Sequence, residues 1–317
     1  MRTIGIILSI LSVLAVASCK KKTPENPYET QTVVIDNPTA DALPYGNFAW
    51  IHAKVFAPTC ANSGCHDGTF EPHFNTVSSS YNSLVNHPVI SNDAAFSYTY
   101  RVVPGNLSAS LLYTRMTESI PNTSGIMPAA VDEDSDWPQM GNTYKNVIKA
   151  WIENGAVDMY GNAPGAAGAD FPPTVDGFAV FPQGNTTEPY NREDGGIGIT
   201  PVLVEAAPVD VWVLVSDDNT APLNMLVNEI RYATSIEGLS TAAPVVFSTG
   251  STLNATDFSG NSASFIHRAT LDLSNVASGT NLFVRTYFSD GVQEDVTEIP
   301  NDNSNEIITS IFVLKVQ

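Results

Sequence analysis

Basic residues are scarce in this chain of 317 residues: 14 Lys and Arg stand against 33 Asp and Glu, giving a formal net charge of −19. A nucleic-acid-binding protein needs a basic surface for the phosphates, so this composition speaks against that class. Charged residues of both signs make up only 15% of the sequence, against roughly 25% in typical soluble domains. The polar surface must then come largely from Asn, Ser, Thr and Gly, which suits an exported protein.

Long apolar runs are missing beyond the N-terminus, so the sequence predicts no membrane-spanning helix of about 20 residues. Hydrophobic residues still make up 43% of the chain, which argues against wholesale disorder. Hydrolase and phosphate-binding motifs are absent too: there is no Gly-x-Ser-x-Gly, no His-Glu-x-x-His and no phosphate-cradling loop. The length is enough for two domains.

The N-terminus has the pattern of an export signal. Arg2 precedes an apolar run over residues 4–17, which is too short to span a bilayer but typical of a signal peptide over residues 1–18. The run ends in Val16-Ala17-Ser18-Cys19, which resembles the bacterial lipoprotein box. The resemblance implies cleavage before Cys19 and acylation of that cysteine; the alternative is a simple secretory signal with a chance cysteine.

A lipid-anchored protein of the cell envelope is therefore expected, on the outer membrane and facing the periplasm or the cell surface. Residues 19–45 contain four prolines and little helical periodicity, so they are interpreted as a tether. Removal of Arg2 leaves 13 basic and 33 acidic residues, a net charge of −20. Such a charge favours docking to a basic patch on a partner protein.

The chemistry of the chain is concentrated in residues 60–66, which read Cys-Ala-Asn-Ser-Gly-Cys-His. A cysteine pair that ends in Cys-His is the signature of covalent c-type haem attachment. Two thiols add to the haem vinyl groups, and the adjacent histidine becomes one axial ligand of the iron. Cys60 and Cys65 are separated by four residues here instead of the usual two, and Gly64 supplies the backbone freedom that a longer loop needs.

Three interpretations of Cys60 and Cys65 remain open at this stage. The first is attachment of one haem c, with His66 as the proximal ligand. The second is a plain disulfide in an oxidising compartment, in a non-redox lipoprotein whose C-terminal domain binds a protein or a glycan. The third is a zinc site that adds His66 and His73, although the spacing does not match the common zinc templates.

A haem iron would need a second axial ligand, and Met127 is the best candidate. It lies in Ser124-Gly125-Ile126-Met127-Pro128, a loop bounded by Gly and Pro, and Pro128 restricts the backbone of both residues. A methionine ligand raises the reduction potential of the iron. Met116 lies on the apolar face of a predicted helix, where core packing is the expected role.

Several blocks then resemble the haem domain of class I cytochrome c-like lipoproteins. They are Val55–Cys60, Cys65-His66-Asp67-Gly68, Tyr81–Val85, Arg101–Asn106, Ser110–Tyr113, Met127-Pro128 and Trp151–Ala156. The resemblance implies an all-α haem domain over residues 46–162 that carries electrons and is not an enzyme. Independently, Tyr144, Val147, Ile148, Trp151 and Ile152 form one apolar helical stripe, which ends where Gly155 can cap the helix. In the resembled fold Trp151 packs near Phe48 or Ile51.

Residues 163–172 are rich in Gly, Ala and Pro and predict a linker, after which the pattern changes to short β-strands. Strands are predicted at 209–215, around Leu271, at 281–288 and at 306–316. Their spacing indicates a two-sheet sandwich over residues 173–317. Residues 273–287 resemble the late strands of fibronectin type III or immunoglobulin-like domains, and this similarity implies an immunoglobulin-like all-β domain.

Overall fold

The computed structural model describes residues 32–35, 37–121, 123–133, 135–166, 170–195, 200–292 and 296–317. The signal peptide, the lipidation candidate Cys19 and most of the tether lie outside these ranges. Residues Thr32–Gln317 form one unit. None of the helices within the described ranges is both long and apolar enough to cross a membrane.

The helices precede the strands, with one exception at the C-terminus. The α-helices are α1 (Phe48–Ile51), α2 (Val77–Leu84), α3 (Leu111–Thr117), α4 (Trp137–Glu153) and α5 (Asn305–Ser310). The strands are β1 (Thr174–Pro182), β2 (Val202–Val204), β3 (Pro208–Ser216), β4 (Val227–Ala233), β5 (Val245–Val246), β6 (Leu253–Thr256), β7 (Ser262–Phe265), β8 (His267–Asp272), β9 (Asn281–Ser289), β10 (Thr297–Ile299) and β11 (Val313–Val316).

Helix α1 leads directly into the cysteine segment. Asn47 caps it by accepting a hydrogen bond from the backbone N–H of Ala49 at 2.8 Å. The chain then continues as a π-helix over His52–Cys60, with Pro58 inside it. Proline usually ends or kinks a helix, but here the wider turn carries the chain past Pro58 to Cys60. Single π turns often occur at functional sites.

Helix α4 has the predicted stripe and the predicted end. Its Tyr144, Val147, Ile148, Trp151 and Ile152 are all buried. The ring of Trp151 lies 5.0 Å from that of Phe48, so the expected packing of the last helix on the first is observed. Gly155 has φ of +98°, a left-handed conformation that glycine adopts without strain at a helix end.

The C-terminal half contains two principal sheets. One has the strand order β1-β3-β8, and the other has the order β2-β11-β9-β4-β5 with β10 also paired to β9. All pairs are antiparallel except β2 with β11. Strands β6 and β7 form a separate hairpin. The expected β-rich region with several sheets, beside a few helices, is thus confirmed.

One predicted strand is wrong. Residues 306–316 are not a single strand, because 305–310 form α5 and only Val313–Val316 extends as β11. Ile307, Ile308 and Ile311 are fully buried, and their i, i+1, i+4 spacing fits one face of a helix. An unbroken apolar run does not distinguish a short buried helix from a strand, so the hydrophobic pattern alone could not predict helix α5.

The helices and the sheets share one hydrophobic core. Residues of α1, α4, β1, β3, β9 and β11 belong to the same buried cluster. Tyr160, after α4, contacts the ring of Phe312 at 6.0 Å, and Ser78 of α2 donates a hydrogen bond to Asp176 of β1. The described end of the predicted tether also packs on the β region, since the backbone N–H of Val33 donates to the carbonyl of Asn254 at 2.9 Å.

Candidate functional site

The main candidate site is a cavity of about 580 Å³ among the helical elements. Such a volume falls within the roughly 300–1,000 Å³ that is usual for ligand pockets. Most of its wall is apolar, and four side chains in it were candidates from the sequence. Those four are Cys60, Cys65, His66 and Met127.

Cys60 lies at the last position of the π-helix, and a tight loop returns Cys65 to it. The loop is closed by hydrogen bonds from the backbone N–H of Cys65 to the carbonyl of Asn62 at 2.8 Å, and from that of His66 to the carbonyl of Cys60 at 3.2 Å. Gly64 has φ of +77°, so its predicted conformational role is observed. The four-residue spacing is therefore accommodated within one local turn.

The two thiols are unbonded and differ in their surroundings. Cys60 is half-buried and Cys65 is exposed. Burial, and secondly the neighbouring Cys65, raises the pKa of Cys60 to about 12. A thiol of this kind stays protonated at neutral pH, which disfavours both disulfide exchange and thiolate coordination of a metal.

His66 is held by its neighbours in one orientation. Its Nδ1 donates a hydrogen bond to the carbonyl oxygen of Phe70, at 3.3 Å, because a carbonyl can only accept. Its ring also makes an edge contact with Phe74, at 5.3 Å between centroids. Phe74 in turn stacks on Phe56 at 4.5 Å. With the proton on Nδ1, the lone pair of Nε2 is left for a metal.

Met127 lines the same cavity from an irregular loop. Its backbone N–H donates to the carbonyl of Arg115 at 2.7 Å, which ties the loop to helix α3. The residue is half-buried, so the thioether is neither free in solvent nor packed away in the core. Met116, by contrast, is 6% exposed and packs in the core as predicted, although its side chain also reaches the cavity wall.

Two arginines line the cavity, and only one was considered from the sequence. Arg101 is buried and already paired: it donates to Glu71 at 2.5 Å and to the carbonyl of Ser83 at 2.6 Å. Arg115 donates to the hydroxyls of Thr123 and Ser124. Within the described ranges it forms no salt bridge. Arg115 is thus a cationic group on an apolar wall without a carboxylate partner there.

The zinc interpretation lacks an assembled site. Among the described residues, Cys60, Cys65, His66 and His73 do not bring three ligand atoms within 4.8 Å of one another. His73 does not line the cavity.

The presence of Arg115 in the cavity wall could not be predicted from a motif, because an isolated arginine belongs to none. Its position on a helix near the Met127 loop is the only sequence feature that pointed to it.

No family model matches the chain, and neither a curated protein nor a solved structure matches it. The resemblance to class I cytochromes c, followed by an immunoglobulin or fibronectin III-like domain, is therefore wrong as a statement of family. The described chain is a mixed structure of five α-helices and several sheets, and its cysteine spacing is not the two-residue spacing of that family. A function for this chain must therefore be argued from the side chains that line the cavity.

Proposed function

We propose that the cavity binds one haem c covalently and that the protein is a single-electron carrier. Cys60 and Cys65 are the attachment points, and His66 and Met127 are the axial ligands. The observation that carries this proposal is that two thiols, an imidazole and a thioether line a single apolar cavity. A haem is a broad apolar ring with two vinyl groups, a central metal and two carboxylates, so this donor set fits it.

The environment of the two cysteines supports this role. Cys60 and Cys65 form no disulfide among the described residues, and both line the cavity. As attachment points they would hold one edge of the haem beside the loop that carries His66. Covalent attachment also keeps a cofactor in a cavity that is open to solvent at the exposed Cys65.

His66 and Met127 set the ligand field. The hydrogen bond from Nδ1 of His66 to Phe70 orients the ring and leaves the lone pair of Nε2 for the iron. Met127 supplies a soft thioether, which favours the reduced metal and raises the potential. When bound, the haem iron supplies one-electron chemistry between its ferrous and ferric states.

Arg115 is the proposed counter-ion for a haem carboxylate. It lines the cavity, and its hydrogen bonds to Thr123 and Ser124 hold the guanidinium beside the Met127 loop. Arg101 is less suited, because Glu71 already neutralises it. A charged group on an apolar wall is costly unless an anion is near, so a carboxylate of the ligand would relieve that cost.

The cellular setting follows from the N-terminus and the net charge. We propose lipid anchoring through Cys19, in the cell envelope, with electron exchange at the exposed edge of the cavity near Cys65 and Phe70. A net charge of −20 after cleavage favours a redox partner with a basic docking patch. The rate of electron exchange with such a partner should fall as salt is added.

The test is a redox titration of the protein expressed with a c-type haem maturation system. We expect one reversible transition in the haem absorption bands that fits a one-electron Nernst curve. The Cys60→Ser/Cys65→Ser double variant is the matched control, and it should lack covalently bound haem. A wild-type protein without a redox-active haem spectrum would contradict the proposal.

A further inference from the structure

Three carboxylates meet at one place in the β-rich half of the protein. One ligand oxygen from each of Asp170, Asp217 and Asp290 lies within 4.8 Å of those of the other two. Asp217 directly follows β3, and Asp290 directly follows β9. Those strands belong to different sheets, and Asp170 comes from the segment before β1. The cluster therefore joins three separate parts of the chain.

Asp290 is the most buried member and has an unused oxygen. The residue is only 9% exposed. Its Oδ1 accepts a hydrogen bond from the backbone N–H of Val292 at 2.9 Å. Its Oδ2 is buried and has no hydrogen-bond partner among the residues that the structure describes. A buried, unpartnered carboxylate oxygen is expensive, and its cost falls if it coordinates a cation.

Asp217 repeats this arrangement. Its Oδ1 accepts from the backbone N–H of Asn219 at 3.0 Å and from that of Thr220 at 2.6 Å. Its Oδ2 is also buried, and no hydrogen-bond partner for it lies within the described ranges. In both residues the loop backbone thus fixes one carboxylate oxygen and leaves the other oxygen unused, beside two further carboxylates.

No lysine, arginine or histidine in the described part of the chain forms an ion pair with Asp217 or Asp290. Carboxylates this close to one another repel, and a bound cation would offset that repulsion.

We propose that Asp170, Asp217 and Asp290 bind a calcium ion, a site that goes beyond the proposed haem function. All the donors are oxygens, the ligands that hard divalent cations prefer. Calcium accepts about six to eight oxygen ligands in flexible geometry, whereas magnesium demands a near-ideal octahedron, so carboxylates from three separate segments of the chain suit calcium better.

The site would stabilise the junction between the helices and the sheets. Phe171, next to Asp170, packs its ring 6.1 Å from that of Tyr81 in α2. Its backbone N–H also donates to Asp218 at 3.2 Å. An ion that ties Asp170 to the ends of β3 and β9 would therefore fix the entry into the β region. Calcium sites of extracellular modules typically bind in the range of about 10⁻⁴–10⁻³ M.

The first experiment is a calorimetric titration of the mature chain with calcium chloride. The second is thermal unfolding with and without about 5 mM calcium, a concentration above the dissociation constants of about 10⁻⁴–10⁻³ M that are typical of such sites. We expect a single binding event and a higher unfolding midpoint with calcium. The Asp217→Asn/Asp290→Asn double variant should bind at least about tenfold more weakly and lose the calcium-dependent shift, because two ligand charges are removed. Asp272→Asn, an exposed aspartate at the end of β8, is the matched control and should behave as the wild type.

The unfolding midpoint of the double variant without calcium shows whether the variant is correctly folded. Without calcium it should unfold at a midpoint no lower than the wild type, since asparagine removes the repulsion and keeps the shape of the side chain. An absent calcium response in the wild type, or an equal response in the double variant, would overturn the proposal. An equal shift with magnesium chloride would overturn the choice of calcium.

Discussion

The imidazole Nδ1 of His66 donates a hydrogen bond to the carbonyl oxygen of Phe70, four residues along the chain. This bond orients the ring within the loop that also holds Cys65, so one local turn positions both a thiol and an imidazole on the cavity wall. This geometry depends on the four-residue spacing between the cysteines, the left-handed backbone of Gly64 and the carbonyl of Phe70. It makes His66 the residue on which the proposed site depends most.

Replacement of His66 by Ala should remove the proximal ligand. We expect the low-spin absorption spectrum of the haem protein to be lost, because the iron keeps at most one protein ligand. His87→Ala is the matched control: His87 lies outside the cavity, with Nε2 3.9 Å from Glu71. Absorption spectra of both variants in the reduced and oxidised forms provide the measurement. An unaltered spectrum in His66→Ala would remove His66 from the site.

Met127→Ala tests the distal ligand. The weak charge-transfer band of sulfur-ligated ferric haem should disappear. The midpoint potential should fall by on the order of 100 mV, a fraction of the roughly 0.8 V range that axial ligands span. Met140→Ala, an exposed methionine on α4, should leave both unchanged. Retention of the band in Met127→Ala would show that a different residue supplies the ligand.

Arg115→Gln tests the proposed counter-ion. Loss of a positive charge near the haem disfavours the reduced form, so the midpoint potential should fall by on the order of tens of mV. The variant should also lose part of the salt dependence of the potential, since a partly exposed charge is screened by ions. Arg268→Gln, in β8, is a control outside the cavity. Equal potentials in Arg115→Gln and the wild type would contradict this role.

His267 should make the protein less stable in acid. Burial lowers its pKa from 6.5 to about 4, and its ring packs between Phe247 and Phe288. Between those two values the unfolded chain binds more protons than the folded one, so the free energy of unfolding falls as the pH is lowered. His267→Phe should reduce the loss between pH 7 and pH 5 by about 2 kcal/mol relative to the wild type.

Urea unfolding of both proteins at the two pH values measures that difference. Other groups titrate in the same range, so the comparison with the variant, and not the absolute slope, carries the prediction. If the free energy of unfolding of His267→Phe fell between pH 7 and pH 5 by as much as that of the wild type, the folded protein would not disfavour protonation of His267.

Local patterns correctly predicted helix α4 and the strands β3, β8 and β9. The stripe of α4, its glycine cap and the contact of Trp151 with Phe48 all agree with the sequence. These features depend on residues close in sequence or on one large apolar surface. The turn at residues 305–310 and the π-helix through Pro58 could not be predicted, because both depend on how the chain packs against distant elements.

The thiols, imidazole and thioether that line the cavity were singled out from the sequence, whereas the arrangement of its charged side chains was not. The spacing of Cys60, Cys65 and His66 and the loop around Met127 identified the groups that line the cavity. The pairing of Arg101 with Glu71 and the position of Arg115 depend on tertiary contacts that no motif encodes. The family resemblance went too far, because short blocks in the right order do not by themselves establish common descent.

The most direct test of the account is a pyridine haemochrome spectrum together with the intact mass of the mature protein, expressed with a c-type haem maturation system. The account predicts a c-type spectrum and the added mass of one haem, carried by the peptide that contains Cys60 and Cys65. A colourless protein whose mass shows these two cysteines oxidised to each other would contradict it.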